Sequence, residues 1–160
     1  HHILTAAPGR PKIGLVLGTR SRMSGSGRKS LSRAAVETIL GHPEAAFFFL
    51  QPDADEADRA PYLAAGATDL TPHMTDFAAS AALVAQLDLV VSVDTAAAHL
   101  AGALGKPVWV LLHAYPDWRW GAGRDDSSWY PSARLFRQPS PGDWATVAAE
   151  VRAALAELRP

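Results

Sequence analysis

The feature that most constrains the fold is a pair of apolar segments separated by a stretch of small residues. Residues 87–93 and 108–112 are predominantly Leu and Val, and residues 96–104 between them are rich in alanine. A strand buried on both faces of a parallel sheet has such a nearly continuous apolar sequence, because helices cover both faces. Alanine favours helix, and Gly105 and Pro107 are typical of a helix end. The segment therefore predicts a strand, a helix and a second, parallel strand.

The same alternation continues along the chain. Ser32, Asp76 and Asp143 are predicted N-caps, and the acidic patch at residues 53–59 is interpreted as a solvated helix face and not as a metal site. Further strands are predicted at residues 13–17, 46–50, 68–70 and 134–136, and further helices at residues 32–40, 77–86 and from 143 onward. The sequence thus predicts an α/β fold, a Rossmann-like, doubly wound parallel sheet with helices on both faces.

Composition limits the class of protein. The 160 residues are 48% apolar and contain no cysteine, which predicts one domain without disulfides or thiolate metal sites. The formal charge of -1 argues against a nucleic-acid partner. No apolar run approaches the roughly 20 residues that cross a bilayer, so we expect no transmembrane segment and a soluble, cytoplasmic protein. We interpret residues 1–11 as a tag remnant or linker and residues 12–160 as the single domain.

Ligands of an open parallel sheet bind beyond the carboxyl ends of its strands, near the point where the strand order reverses. The loops at residues 18–30, 93–97 and 113–132 each follow a predicted strand, so we expect them to converge at one crevice. The strands at residues 13–17 and 87–93 should be neighbours at that switch point.

The second of these loops is the most informative. A strand ends at Asp94 and Thr95, where a helix begins, and the small residues Ala96, Ala97 and Ala98 leave its first backbone amides uncovered. Such a helix N-terminus suits a phosphate, and His99 would face the same crevice if Asp94 is the N-cap. The alternative is that Asp94 only caps the helix and His99 is a partly buried histidine with structural partners.

The first loop is basic, with Arg20, Arg22, Arg28 and Lys29 among its glycines and serines. It could close on a pyrophosphate, or it could be solvated surface. Its spacing matches no Walker loop, and no G-x-G-x-x-G opens a helix after the first strand, which argues against ATP or NAD.

The third loop is aromatic and could stack a base or a sugar ring. Trp118 and Trp120 are interpreted instead as structural, packed against the domain edge or a partner domain. His113 and Asp117 are the loop pair that could act as acid and base. No Ser-His-Asp set, nucleophile elbow or metal cluster is visible, so we expect no metal and no cofactor.

These residues also resemble a known family. The stretch LDLVVSVDTAAAHLAGALGKPVWVLL at residues 87–112 is similar to the carboxyl-terminal domain of heptosyltransferase-like proteins, glycosyltransferase family 9. The motifs PDWRW at 116–120, SWYPS at 128–132 and RLFRQ at 134–138 resemble more narrowly the bacterial proteins that join tetratricopeptide repeats to such a domain.

The resemblance implies the carboxyl-terminal half of a glycosyltransferase B fold, which holds the nucleotide diphosphate sugar donor. It places Asp94, Thr95, Ala96 and His99 at the pyrophosphate and ribose, and Arg28, Lys29 and Ser30 where the first loop reaches the phosphates. The implied catalytic base lies in an amino-terminal domain that this chain does not include, so the isolated domain should be inactive. The implied partners are the donor and an upstream Rossmann-like or repeat domain.

Two departures from the family pattern leave a second hypothesis open. Residues 20–27 lack the His and Asp expected ahead of Arg28, and His113 stands where proline is more usual. The alternative is a non-catalytic, degenerate binding or scaffolding module of a tetratricopeptide-repeat protein.

Overall fold

The computed structural model describes residues 8–19, 29–114, 120–121, 125–127 and 130–158. All pairings within its six-stranded sheet are parallel. The strands are β1 (Lys12–Val16), β2 (Ala46–Phe49), β3 (Thr68–Asp69), β4 (Leu89–Val93), β5 (Val108–Leu112) and β6 (Ala133–Arg137). The α-helices are α1 (Arg33–Leu40), α2 (Glu56–Ala64), α3 (Phe77–Val84), α4 (Ala96–Ala103) and α5 (Trp144–Glu157), with a 3-10 turn at Thr71–His73.

The strand order is β3-β2-β1-β4-β5-β6. The chain builds outward from β1 to β3 and then returns to the centre, where β4 pairs with β1 in the register Ile13 to Leu89. The order therefore reverses between β1 and β4. The predicted Rossmann-like sheet and its switch point are confirmed.

Each face of the sheet carries its own apolar core. On one face α1, α2 and α5 pack against alternate strand residues such as Ile13 and Val91. On the other face α3, α4 and the Trp120 ring cover residues such as Val90 and Val110. Because both faces are buried, β4 and β5 are buried at every position, which is why their sequences are so apolar.

The predicted helix starts at Ser32, Asp76 and Asp143 are confirmed. The Ser32 hydroxyl accepts from the Ala35 N–H, and the two aspartates accept in the same way from residues three positions later. The acidic patch forms the start of α2, with Asp55 as its N-cap. A side chain thus caps α1, α2, α3 and α5, and the exception among the described α-helices is α4.

Strand boundaries differ from the predicted ones by one residue at β1, β2, β3 and β6, and the largest difference is at the start of β4. β4 begins at Leu89 and not at Leu87, because the Leu87 N–H bonds the Val84 carbonyl at the end of α3. Asp88 contacts the start of β1 twice, because its N–H donates to the Lys12 carbonyl at 2.8 Å and its carboxylate accepts from the Lys12 N–H at 2.7 Å. None of the helices in the described ranges has the length and apolar character needed to cross a membrane.

Candidate anion-binding site

Side chains from the three loops that were predicted to converge, or from the helix that follows one of them, meet beyond the carboxyl ends of β1, β4 and β5. We call Lys29, Asp94, His99, Trp120 and Tyr130 the carboxyl-edge cluster. The Lys29 ammonium lies 3.9 Å from one Asp94 oxygen, and His99 Nε2 lies 3.2 Å from the other. His99 Nδ1 is 2.9 Å from the Tyr130 hydroxyl, and its ring stacks on the Trp120 indole with 5.3 Å between centroids. The expected convergence of the loops is confirmed for their described residues.

The N-terminus of α4 differs from the prediction in which residue caps it. Thr95 holds the N-cap position, with extended backbone at φ -140° and ψ 170°. Asp94 is not the cap, because its carboxylate is directed to His99 and Lys29 instead. The Thr95 hydroxyl does not cap the helix either, since it pairs with the buried Ser92 hydroxyl at 2.9 Å, while Ser92 donates to the Val93 carbonyl.

The first amides of α4 are consequently left open. The N–H groups of Ala98 and His99 bond the Thr95 carbonyl. Those of Ala96 and Ala97 find no acceptor within the described ranges, and Ala96 is exposed. A helix N-terminus without a side-chain cap presents oriented donors and partial positive charge to an anion.

The Asp94 carboxyl is ionised in this environment. Burial by itself raises the pKa of Asp94, but the bond from His99, the nearby Trp120 indole N–H and the Lys29 charge outweigh burial and hold that pKa below its usual value. The carboxylate therefore anchors two basic groups beside the open amides.

Trp120 forms the floor of this cluster. Its ring is only 1% exposed, and its carbonyl accepts from the Arg137 guanidinium. The indole N–H faces the Asp94 carboxylate but makes no hydrogen bond within the described structure. The interpretation of Trp120 as a packed, structural residue is thus confirmed.

Ser30 has a local role. Its hydroxyl accepts from the Thr19 N–H at 3.1 Å and lies 3.3 Å from the Thr19 carbonyl. The bond fastens the end of the first loop to the end of β1. Ser30 therefore shapes the loop that carries Lys29, and its side chain is directed at the backbone.

Some predicted residues lie outside the described residues. These are Arg20, Arg22, Arg28, Asp117 and Trp118. Sequence reasoning in turn missed the contact of Tyr130 with His99, because the residues stand 31 positions apart and no motif links them. The described part of the chain gathers no three His, Asp or Glu side chains that could hold a metal ion.

The sequence of the chain is similar to known proteins. Residues 4–125 match the family described as glycosyltransferase family 9 (heptosyltransferase). The chain belongs to glycosyltransferase family 9. The matched residues include Lys29, Asp94, His99 and Trp120, whereas Tyr130 lies beyond them.

Among curated proteins the chain is similar to Protein FlbA of Caulobacter vibrioides. The two are 36% identical over 90 residues, which is 56% of this chain and 14% of FlbA. The chain thus spans a small part of that relative's length. No solved structure matches it.

Proposed function

We propose that this chain is the donor-binding domain of a glycosyltransferase and that it holds the diphosphate of a nucleotide diphosphate sugar at the N-terminus of α4. The observation that carries the proposal is the uncapped N-terminus of α4 with Lys29 and His99 beside it. Membership of family 9 supports sugar transfer as the reaction.

Each group has a chemical part in this proposal. The N–H groups of Ala96 and Ala97 donate to phosphate oxygens, and the partial positive charge of the helix adds roughly 0.3–1 kcal/mol at an exposed site. Lys29 supplies a further donor, and His99 holds the Asp94 carboxylate beside it through a hydrogen bond from Nε2. When the bond between the sugar and the phosphate breaks, negative charge grows on the departing diphosphate, so these donors stabilise the transition state more than the bound donor.

The wider assignment is also a proposal. The catalytic base would lie in an amino-terminal, Rossmann-like domain. The partners would be the sugar donor and an upstream Rossmann-like or tetratricopeptide-repeat domain of the same cytoplasmic protein. The reaction would need no metal, because the basic groups and helix amides would stabilise the negative charge of the diphosphate in place of a metal cation. Arg28 would join Lys29 at the phosphates. Turnover of the longer protein in excess chelator tests the metal-independent route.

The direct test is titration of this chain with ADP, UDP and GDP and their sugars at low salt, followed by chemical-shift mapping. Binding should perturb residues 93–99 first. His99→Ala should weaken binding several-fold, because the Asp94 carboxylate loses its hydrogen-bond donor and its charge then repels the phosphates.

The matched control is His42→Ala. His42 lies just before β2, at the amino ends of the strands and thus at the end of the sheet opposite to the proposed site. This variant should bind like the wild type. If millimolar ligand leaves residues 93–99 unperturbed, the donor-site proposal fails and the non-catalytic scaffolding module takes its place.

A further inference from the structure

The Tyr130 hydroxyl reaches the anion site from a distant part of the chain. It lies 2.9 Å from His99 Nδ1, and the two rings are tilted at 59° with 5.7 Å between centroids. Tyr130 is half-buried, and its N–H bonds the Ser127 hydroxyl. The phenol is therefore held from its backbone and directed at the imidazole.

Gly102 provides the space that Tyr130 occupies. A Cβ at residue 102 would lie 2.5–2.8 Å from ring carbons of Tyr130, closer than real contacts allow. The tyrosine ring thus lies directly on the backbone of α4. From there its hydroxyl reaches His99, which is nearly one turn earlier on the same helix.

The hydrogen bonds assign the protonation of the imidazole. An ionised carboxylate only accepts, so His99 Nε2 carries the hydrogen that goes to Asp94. In neutral His99 the Nδ1 atom then accepts from Tyr130. Because a hydroxyl can also accept, the same tyrosine serves a protonated His99 without moving.

The remaining side of the imidazole is fixed by Trp120. The two rings stack at 23°, and the indole is buried. His99 is thus held at both nitrogens and on one face, which leaves little freedom for a group placed next to open helix amides. A binding site gains affinity when its side chains are already fixed in the geometry that the ligand needs.

We propose that Tyr130 is a positioning residue of this site: its hydroxyl keeps the His99 imidazole in one orientation and one tautomer. The proposal rests on the proposed function for the anion that binds beside His99. It extends the site to a residue beyond those matched by the family, and it predicts that Tyr130 acts on the anion only through His99.

The first test is Tyr130→Phe, which keeps the ring on Gly102 and removes the hydroxyl. Imidazole ¹H–¹⁵N spectra of the ligand-free chain should show the His99 Nδ1 resonance moving away from its hydrogen-bonded position. Tyr62→Phe is the matched control, since it removes a buried phenol hydroxyl from α2 and should leave the His99 resonances in place. A His99 spectrum that is the same in wild type and Tyr130→Phe would overturn the proposal.

The second test is a double-mutant cycle with inorganic pyrophosphate and ADP as probes. Tyr130→Phe should weaken binding several-fold in the wild type and have no effect in the His99→Ala background. Equal losses in both backgrounds would mean that Tyr130 acts directly or through the fold, and would refute the positioning role.

The two proposals fail in different ways. If the wild type binds neither probe, the donor-site proposal fails, while the ligand-free spectra still decide whether Tyr130 positions His99. If the wild type binds and the spectra of Tyr130→Phe are unchanged, the donor site stands and the role of Tyr130 is refuted.

Discussion

Asp94 is an acid at a site proposed for an anion, and its partners explain why that is tolerable. Its side chain is 13% exposed and lies between Lys29 and His99, so its charge is already matched when a phosphate arrives. The same contacts lower its pKa against the opposing effect of burial. The carboxylate organises the two basic side chains instead of competing with the ligand.

This pKa shift predicts how stability depends on pH. A depressed folded-state pKa stabilises the fold above the unfolded value of about 3.9, and the stabilisation is lost as pH falls through the folded pKa. Asp94→Asn should therefore lower the free energy of unfolding at pH 7, and the deficit should shrink as pH falls below about 4. Urea denaturation across this range measures it, with Glu150→Gln on α5 as a control for losing a carboxylate. A deficit that is equal at pH 7 and pH 3 would contradict the assignment.

The effect of Gly102→Ala on stability should depend on whether residue 130 is a tyrosine. In α4 an alanine should gain up to about 1 kcal/mol in helix propensity. Its methyl group would instead meet the Tyr130 ring, and such overpacking typically costs roughly 1–3 kcal/mol. Gly102→Ala should destabilise the wild type and stabilise a Tyr130→Ala background, as read from urea denaturation of the four proteins. Destabilisation in both backgrounds would show that Tyr130 is not what excludes a side chain at residue 102.

At the scale of the elements, the N-terminus of α4 can be tested without breaking the helix. Proline is tolerated at the first helical position, and the extended Thr95 before it suits a following proline. Ala96→Pro should therefore keep the fold and remove one amide from the anion site. We expect pyrophosphate to bind roughly 10- to 100-fold more weakly, since a hydrogen bond to a charged group contributes about 1.5–3 kcal/mol.

The matched variant is Glu56→Pro, at the first position of α2. It removes the corresponding amide from a helix that Asp55 already caps, so pyrophosphate affinity should stay close to that of the wild type. Titration calorimetry compares the two, with circular dichroism as the check on folding. Equal losses of affinity in both variants would show that binding depends on general stability and not on the amides of α4.

The elements were predictable because their signals are local. Strands buried on both faces need apolar runs, and the caps of α1, α3 and α5 need a short polar side chain at one position. The prediction that Asp94 is the N-cap of α4 was wrong. Its carboxylate bonds His99 instead, and capping preferences read from the local sequence do not include that partner. The contact of Tyr130 with His99 depends on packing across the sheet edge, so no sequence pattern could reveal it.

At the scale of the whole molecule, the sheet order decides where a ligand can lie. The reversal between β1 and β4 separates the loops that follow them, so the first loop and α4 flank one crevice. Lys29 from one side and Asp94 from the other meet across it at 3.9 Å. This crevice offers groups that hold and neutralise an anion. In the proposed function, the catalytic base that activates the acceptor would lie in another domain.

The chain alone should therefore bind donors and transfer nothing. We expect weak binding of nucleotide diphosphate sugars, no sugar transfer and no donor hydrolysis above background. In the proposed function the carboxyl-edge cluster would stabilise the departing diphosphate, and the base that activates the acceptor would lie in another domain. Release of labelled sugar from UDP, ADP and GDP donors measures this, and His99→Ala separates true turnover from contamination. Activity that is equal in wild type and His99→Ala comes from a contaminant. Turnover that the wild type shows and His99→Ala loses would mean that one domain suffices for catalysis, and the two-domain assignment would be wrong.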